Sequence, residues 1–168
     1  YVSIIENNNT LLLQLISDIL DLSKIEAGTM EFAYTDFDLN GVMTELESSL
    51  RLKLSPDKQV TLTLETPLPE CYIHAERNRI SQIIINLVTN AIKFTETGNI
   101  RIGYQIRDNK QLYFYVTDTG CGISEDKQES VFGRFVKLNT FAQGTGLGLY
   151  IVKQLAVKLG GDAGAESI

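Results

Sequence analysis

The stretch from Glu76 to Thr95 constrains the fold more than any other. Ile80, Ile83, Ile84, Leu87, Val88 and Ala91 recur at helical spacing and predict one amphipathic helix. Thr97-Gly98-Asn99 reads as a turn after it. Two alternating runs follow, Ile100 to Arg107 and Gln111 to Thr117, joined by Asp108-Asn109 as a hairpin. A helix with one apolar stripe beside two half-buried strands asks for a sheet with helices on one face.

The flanking segments extend that pattern. Asp38 or Asn40 can cap a helix whose apolar face is Val42, Met43, Leu46, Leu50 and Leu54, ended by Pro56. Val60 to Glu65 alternates as a strand does, and Cys71 to Ile73 is a short strand candidate. Residues 119 to 145 are glycine-rich and aperiodic, with an amphipathic insert at Lys127 to Arg134. A last helix is expected from Leu147 to Leu159, ended by Gly160-Gly161, and alternation resumes from Asp162 to Ile168 as a strand. The expected class is α+β, a two-layer α/β sandwich of a mostly antiparallel sheet with helices on one face.

A long helix precedes this sandwich. Ile5, Leu12, Ile19 and Asn8, Leu15, Leu22 form a heptad seam from Val2 to about Ala27, widened by Ile4, Leu11, Leu20 and Ile25. So broad a seam fits a four-helix bundle, covered by a helix and a second copy from outside this chain, although packing on its own domain is the plainer alternative. Gly28 and the polar stretch to Asp38 read as a hinge. Tyr1 opens the chain without Met and Ile168 falls inside an alternating run, so a longer parent protein is expected.

Composition removes several classes. With 43% hydrophobic and 21% charged residues, the 168-residue chain can build a core and is not disordered. A net charge of −6 leaves no basic stripe for a nucleic-acid backbone. Cys71 and Cys121 lie far apart, so no disulfide framework is expected, and a lone histidine, His74, excludes histidine-built metal sites. No run of about 18 apolar residues spans a bilayer.

Three segments could do chemistry. Asn86, Asn90 and Lys93, spaced i, i+4, i+7, share the helix face opposite the Ile/Leu stripe. Amide oxygens suit Mg²⁺ that leans on substrate phosphates, and Lys93 adds a point charge; a solvated polar face is the alternative. Asp118-Thr119-Gly120-Cys121-Gly122 follows an apolar strand directly. There a carboxylate can accept from an amino group while glycine backbone approaches a flat ligand, or the segment is a strand-ending turn. Gly144-Thr145-Gly146-Leu147-Gly148-Leu149 opens a helix and can turn backbone N–H groups toward an anion. It is neither the dinucleotide fingerprint nor a Walker A loop, and alone it is weakly specific.

Taken in order, these segments resemble the catalytic, ATP-binding region of sensor histidine kinases of two-component systems, of the GHKL type. Gln82 to Thr95 resembles the N box, Asp118 to Gly122 the G1 box, Phe132 and Phe135 the F box, and Gly144 to Leu149 the G2 box. Leu20 to Gly28 resembles the end of the second dimerisation helix. The resemblance implies residues 1–30 as that helix, part of an incomplete histidine-phosphotransfer bundle, and residues 31–168 as a catalytic domain lacking its last strands. It implies Asn90 as principal Mg²⁺ ligand with Asn86 beside it, Lys93 on a phosphate oxygen and Phe94 against the nucleotide. Asp118 would accept the adenine amino group, favouring ATP over GTP, with Gly120 and Gly122 permitting close approach.

Residues 124–143 would form a lid from which Arg134 or Lys137 reaches phosphate, and Gly144, Thr145, Gly146, Leu147 and Gly148 would close over the phosphates. The implied reaction passes the γ-phosphoryl of Mg-ATP to a histidine, for relay to a response regulator receiver domain. Homodimerisation of the parent protein, a cytoplasmic location for this part and attachment of the parent to a bacterial inner membrane through segments outside the chain are also implied. ATP hydrolases of this fold carry a Glu one turn before the metal-binding Asn; here Asn86 cannot take water's proton, which favours transfer over hydrolysis. The other reading is a non-catalytic, nucleotide-sensing dimerisation scaffold.

Departures from the family pattern are specific. The phosphate-accepting histidine and its H-E/D-x-R/K-T/N-P context are absent, and His74, just before the N-box helix, is expected to be structural or exposed. Glu76 stands for the usual Asp, Gly133 for an acidic or polar residue between the phenylalanines, and Tyr150 for a small residue.

Overall fold

The structure, a computed structural model, describes residues 2–137 and 144–167. In chain order its elements are α1 (Val2–Glu26), β1 (Thr35–Asp38), α2 (Leu39–Arg51), β2 (Gln59–Glu65), β3 (Tyr72–Ala75), α3 (Arg77–Phe94), β4 (Thr97–Arg107), β5 (Gln111–Asp118) and α4 (Gly148–Lys158). Short 3-10 turns lie at Asp108–Lys110, Glu125–Lys127 and Ser130–Phe132. The chain divides into two compact units: Ala33–Gly122, and Tyr1–Phe32 together with Ile123–Ile168.

In the Ala33–Gly122 unit, β2, β4 and β5 form a three-stranded sheet in that order. β2 runs parallel to β4, and β4 antiparallel to β5, with Ile100 opposite Asp118. Helices α2 and α3 pack on each other and on this sheet. Their inner stripes, Leu39, Val42, Met43 and Leu50 from α2 and Ile80, Ile84, Val88 and Ala91 from α3, are buried with Leu62, Ile100, Ile102 and Tyr104 of the sheet. The α/β sandwich expected from periodicity is the architecture of this unit.

Both helices start where the chemistry of their caps dictates. Asp38 accepts from the N–H groups of Asn40 and Gly41, each at 3.1 Å, and opens α2. Glu76 accepts from Arg79 N at 2.5 Å and opens α3. Buried Tyr104 donates its hydroxyl to Asn40 Oδ1 at 2.7 Å, so the polar first turn of α2 also satisfies the largest core side chain.

The structure corrects four local expectations. α2 stops at Arg51, before Pro56, because Lys53 and Leu54 bond back to Leu50 and Arg51 and tighten the turn; Leu54 lies beyond the helix. Residues 35–38, read within a hinge, form β1, which pairs antiparallel with β3. Thr97-Gly98-Asn99 is not a turn: β2 pairs from Gln59↔Thr97 onward and draws these residues into β4. Residues 162–167 form no strand; among the described residues no ladder lies beside them, and Lys153 Nζ donates to Ala163 O while Ile123 N donates to Ser167 Oγ.

The other unit is helical. α1 packs with α4, burying Asp18, Leu22 and Ile25. Leu12, Leu13, Ile16, Ile19 and Leu20 stay exposed, an apolar face that one helix leaves uncovered.

Candidate functional site

The polar face predicted on α3 is present in the Ala33–Gly122 unit. Asn86, Asn90 and Lys93 are half-buried on the helix whose buried stripe is Ile80, Ile84, Val88 and Ala91. Four residues advance an α-helix by about 6 Å, so the two amides lie one above the other. Lys93 Nζ rests 4.8 Å from the Phe94 ring centroid, which keeps the ammonium at the helix end.

The C-terminal end of α3 meets the loop after β5. Cys121 N donates to Phe94 O at 3.3 Å. Gly120 lies so close that a Cβ there would come within 2.6 Å of Phe94 O and 2.8 Å of Asp118 Oδ1, which accounts for glycine at this place. Gly122 holds φ +68, the left-handed region. Asp118 Oδ1 accepts from Gly120 N at 2.8 Å, leaving the exposed carboxylate a second oxygen, Oδ2.

Thr119 fixes this loop against the start of β4. Its N–H donates to Asn99 O at 3.2 Å, and its hydroxyl oxygen accepts from Asn99 N at 3.0 Å. Gly98, at φ +117, makes room: a Cβ there would fall 2.0 Å from Thr119 Oγ1. Sequence reading missed this Gly98–Thr119 contact because it joins segments about twenty residues apart. The structure therefore brings the end of the Asn/Lys helix and the Asp-Gly loop together.

The remaining predicted residues belong to the other unit. Gly144 (φ +143) and Gly146 (φ +74) have conformations suited to glycine, and a Cβ on Gly146 would meet the Phe135 backbone at 2.9 Å. Thr145 Oγ1 donates to Asp18 Oδ2 at 2.7 Å and accepts from Leu147 N at 3.2 Å, and buried Leu147 leads into Gly148, the first residue of α4. Asp18, a buried carboxylate the sequence did not single out, also accepts from Gln14 Nε2 at 2.7 Å. Arg134 pairs with Glu26 and donates to Tyr150 OH at 2.9 Å; the tyrosine hydroxyl and then Glu26 push the guanidinium pKa up. Lys137 is exposed. Of the expected lid, residues 138–143 lie outside the described residues. His74 is exposed, with Nδ1 2.7 Å from Asp36 Oδ1.

An Asn-Asn-Lys helix face thus ends against an Asp-Gly loop, on a sheet covered by two helices. Residues 75–168 match the family described as histidine kinase-, DNA gyrase B- and HSP90-like ATPases, and the chain belongs to it. It is 35% identical over 99% of its length to the autoinducer 2 sensor kinase/phosphatase LuxQ of Vibrio vulnificus, and covers 20% of that protein. The chain thus spans about a fifth of that relative's length. It is similar to full-length ShkA, crystallised with AMPPNP, at a TM-score of 0.85 and 30% identity, covering 99% of this chain and 35% of ShkA. It is also similar to histidine kinase ThkA in complex with the response regulator protein TrrA, at a TM-score of 0.76 and 26% identity, covering 99% of this chain and 46% of that one.

Proposed function

We propose that this chain is the ATP-binding catalytic region of a sensor histidine kinase, transferring the γ-phosphoryl of ATP to a histidine that it does not itself supply. The observation that carries this reading is the junction of α3 with the Asp118 loop: amides and an ammonium on one side, a carboxylate and close-approach glycine on the other. Asp118 would accept the adenine amino group, which guanine replaces with a carbonyl. Asn90, with Asn86 one turn before it, offers amide oxygens suited to Mg²⁺. Bound there, Mg²⁺ would supply neutralisation of phosphate charge. Lys93 would hold a phosphate oxygen, and Phe94 would lie against the nucleotide. Gly120 and Gly122 would admit the ligand to the backbone. The segment Gly144, Thr145, Gly146, Leu147 and Gly148 carries its own anion-binding capacity at the start of α4, and Arg134 or Lys137 would add a cation for phosphate.

Asn86, which cannot take a proton from water, favours transfer over hydrolysis. Residues 1–30 would be the second helix of a dimerisation bundle and residues 31–168 the catalytic domain. The exposed Leu12, Leu13, Ile16, Ile19 and Leu20 face supports homodimerisation of the parent protein. A receiver domain of a response regulator would be the next carrier of the phosphoryl group. Among the described residues no helix is long and apolar enough to cross a membrane; anchorage of the parent to a bacterial inner membrane, with this part cytoplasmic, would rest on other segments.

Thermal unfolding tests this function. MgADP at about 100 times its Kd should add about 2.7 kcal/mol of stability. Asn90→Ala should remove the Mg²⁺-dependent part of that gain; an unchanged gain would overturn the metal assignment.

A further inference from the structure

The C-terminal turn of α3 poses an accounting problem: the last four carbonyls of a helix have no partner within it. Here each of the four is taken. Ala91 O accepts from Thr95 N at 3.0 Å, and Phe94 O from Cys121 N at 3.3 Å. The two between them, Ile92 O and Lys93 O, accept from one side chain, Lys58 Nζ, at 3.0 and 3.5 Å. The same ammonium donates to Thr95 O at 3.1 Å and pairs with Glu96 Oε1 at 3.0 Å. Lys58 is largely buried, with 21% of its side chain exposed, whereas Glu96 is 77% exposed, so the carbonyls rather than the carboxylate fix the ammonium. A cation here also faces the negative end of the helix dipole.

Its place in the chain gives this contact leverage. Lys58 immediately precedes β2, whose first residue, Gln59, lies opposite Thr97, the first residue of β4. The ammonium thus clamps the short passage from α3 to β4 from the neighbouring strand. That turn carries Lys93 and Phe94, and its last carbonyl holds the Asp118 loop through Cys121. A methyl-terminated side chain at 58 would leave Ile92 O and Lys93 O without this donor, and the turn would unwind toward water to satisfy them.

The geometry points to Lys58 as a positioning residue for nucleotide binding: from outside the binding segments it holds the helix end that presents Lys93 and Phe94. This inference rests on the proposed role of α3 as the nucleotide helix, so its test carries a control for that role. Lys58→Met, Lys58→Gln, Lys58→Arg and Asn90→Ala are compared by calorimetric titration of the chain with MgADP at a temperature well below unfolding.

Lys58→Met should raise the Kd about tenfold, the equivalent of about 1.4 kcal/mol. Lys58→Gln should raise it by less, and Lys58→Arg, which keeps a charged donor, should restore it to within about twofold, inside the 1.4 kcal/mol that one decade represents. A lower melting temperature in Lys58→Met and Lys58→Gln with unchanged Kd would overturn the inference, because a merely structural lysine would behave that way. If Lys58→Met does not fold, the Gln and Arg variants carry the same comparison. Unchanged binding in Lys58→Met beside lost binding in Asn90→Ala would reject Lys58 alone. Full MgADP binding in Asn90→Ala would overturn the metal assignment on α3, and with it the reading of α3 as the nucleotide helix on which the inference rests.

Discussion

Thr95 is fully buried at the end of α3, and among the described residues its hydroxyl has no hydrogen-bond partner. Its backbone is satisfied, with N–H to Ala91 O and the carbonyl to Lys58, so the side chain alone bears the desolvation cost. Thr95→Val keeps the shape and removes the orphan. It should stabilise the chain by about 1 kcal/mol, read as a higher urea midpoint at unchanged slope. Other residues at this scale were legible from sequence for a local reason. Gly120 and Gly122 sit where a strand ends, and the structure adds the contact that demands the first, Phe94 O at 2.6 Å from a would-be Cβ. Lys58 was not legible, because its carbonyl partners lie 34 to 37 positions away and a lysine beside a proline turn carries no periodic signal.

Among the elements, α3 was legible almost to its ends, Glu76 and Thr95 being its caps, because eighteen residues of strict 3.6-residue spacing leave little ambiguity. β1 was hidden by composition: Thr-Asp-Phe-Asp has one apolar residue and becomes a strand only by pairing with β3. The start of β4 was hidden by topology, since its parallel partner lies 38 residues upstream, Gln59 opposite Thr97. α1 was recognised from its seam, but the seam did not reveal Asp18 as a buried acceptor for Gln14 and for Thr145, 127 positions away. Asp18→Ala would take the acceptor from the half-buried Thr145 hydroxyl, which no water then reaches freely, and from the exposed Gln14 amide. It should cost about 1–3 kcal/mol in denaturant unfolding, whereas replacing exposed Glu6 should cost far less.

For the molecule as a whole, stability is tied to a proton on Tyr104. Burial, with Cys71 beside it adding to the effect, pushes this phenol from its ordinary 10 up to about 12. The fold therefore holds the proton more tightly than the unfolded chain does. Its contribution is complete below pH 10 and is lost as the pH climbs through about 12. Urea midpoints measured from pH 9 upward should fall over that window, and Tyr104→Phe should flatten the fall while losing the 2.7 Å bond to Asn40.

The Gly98–Thr119 contact bears on how such chains can diverge. With a would-be Cβ 2.0 Å from the threonine oxygen, position 98 has no room for alanine while position 119 keeps its hydroxyl. Shortening the side chain at 119 would clear that space without freeing position 98, because φ +117 strains any residue with a Cβ; a lineage is expected to vary at 119 while glycine persists at 98.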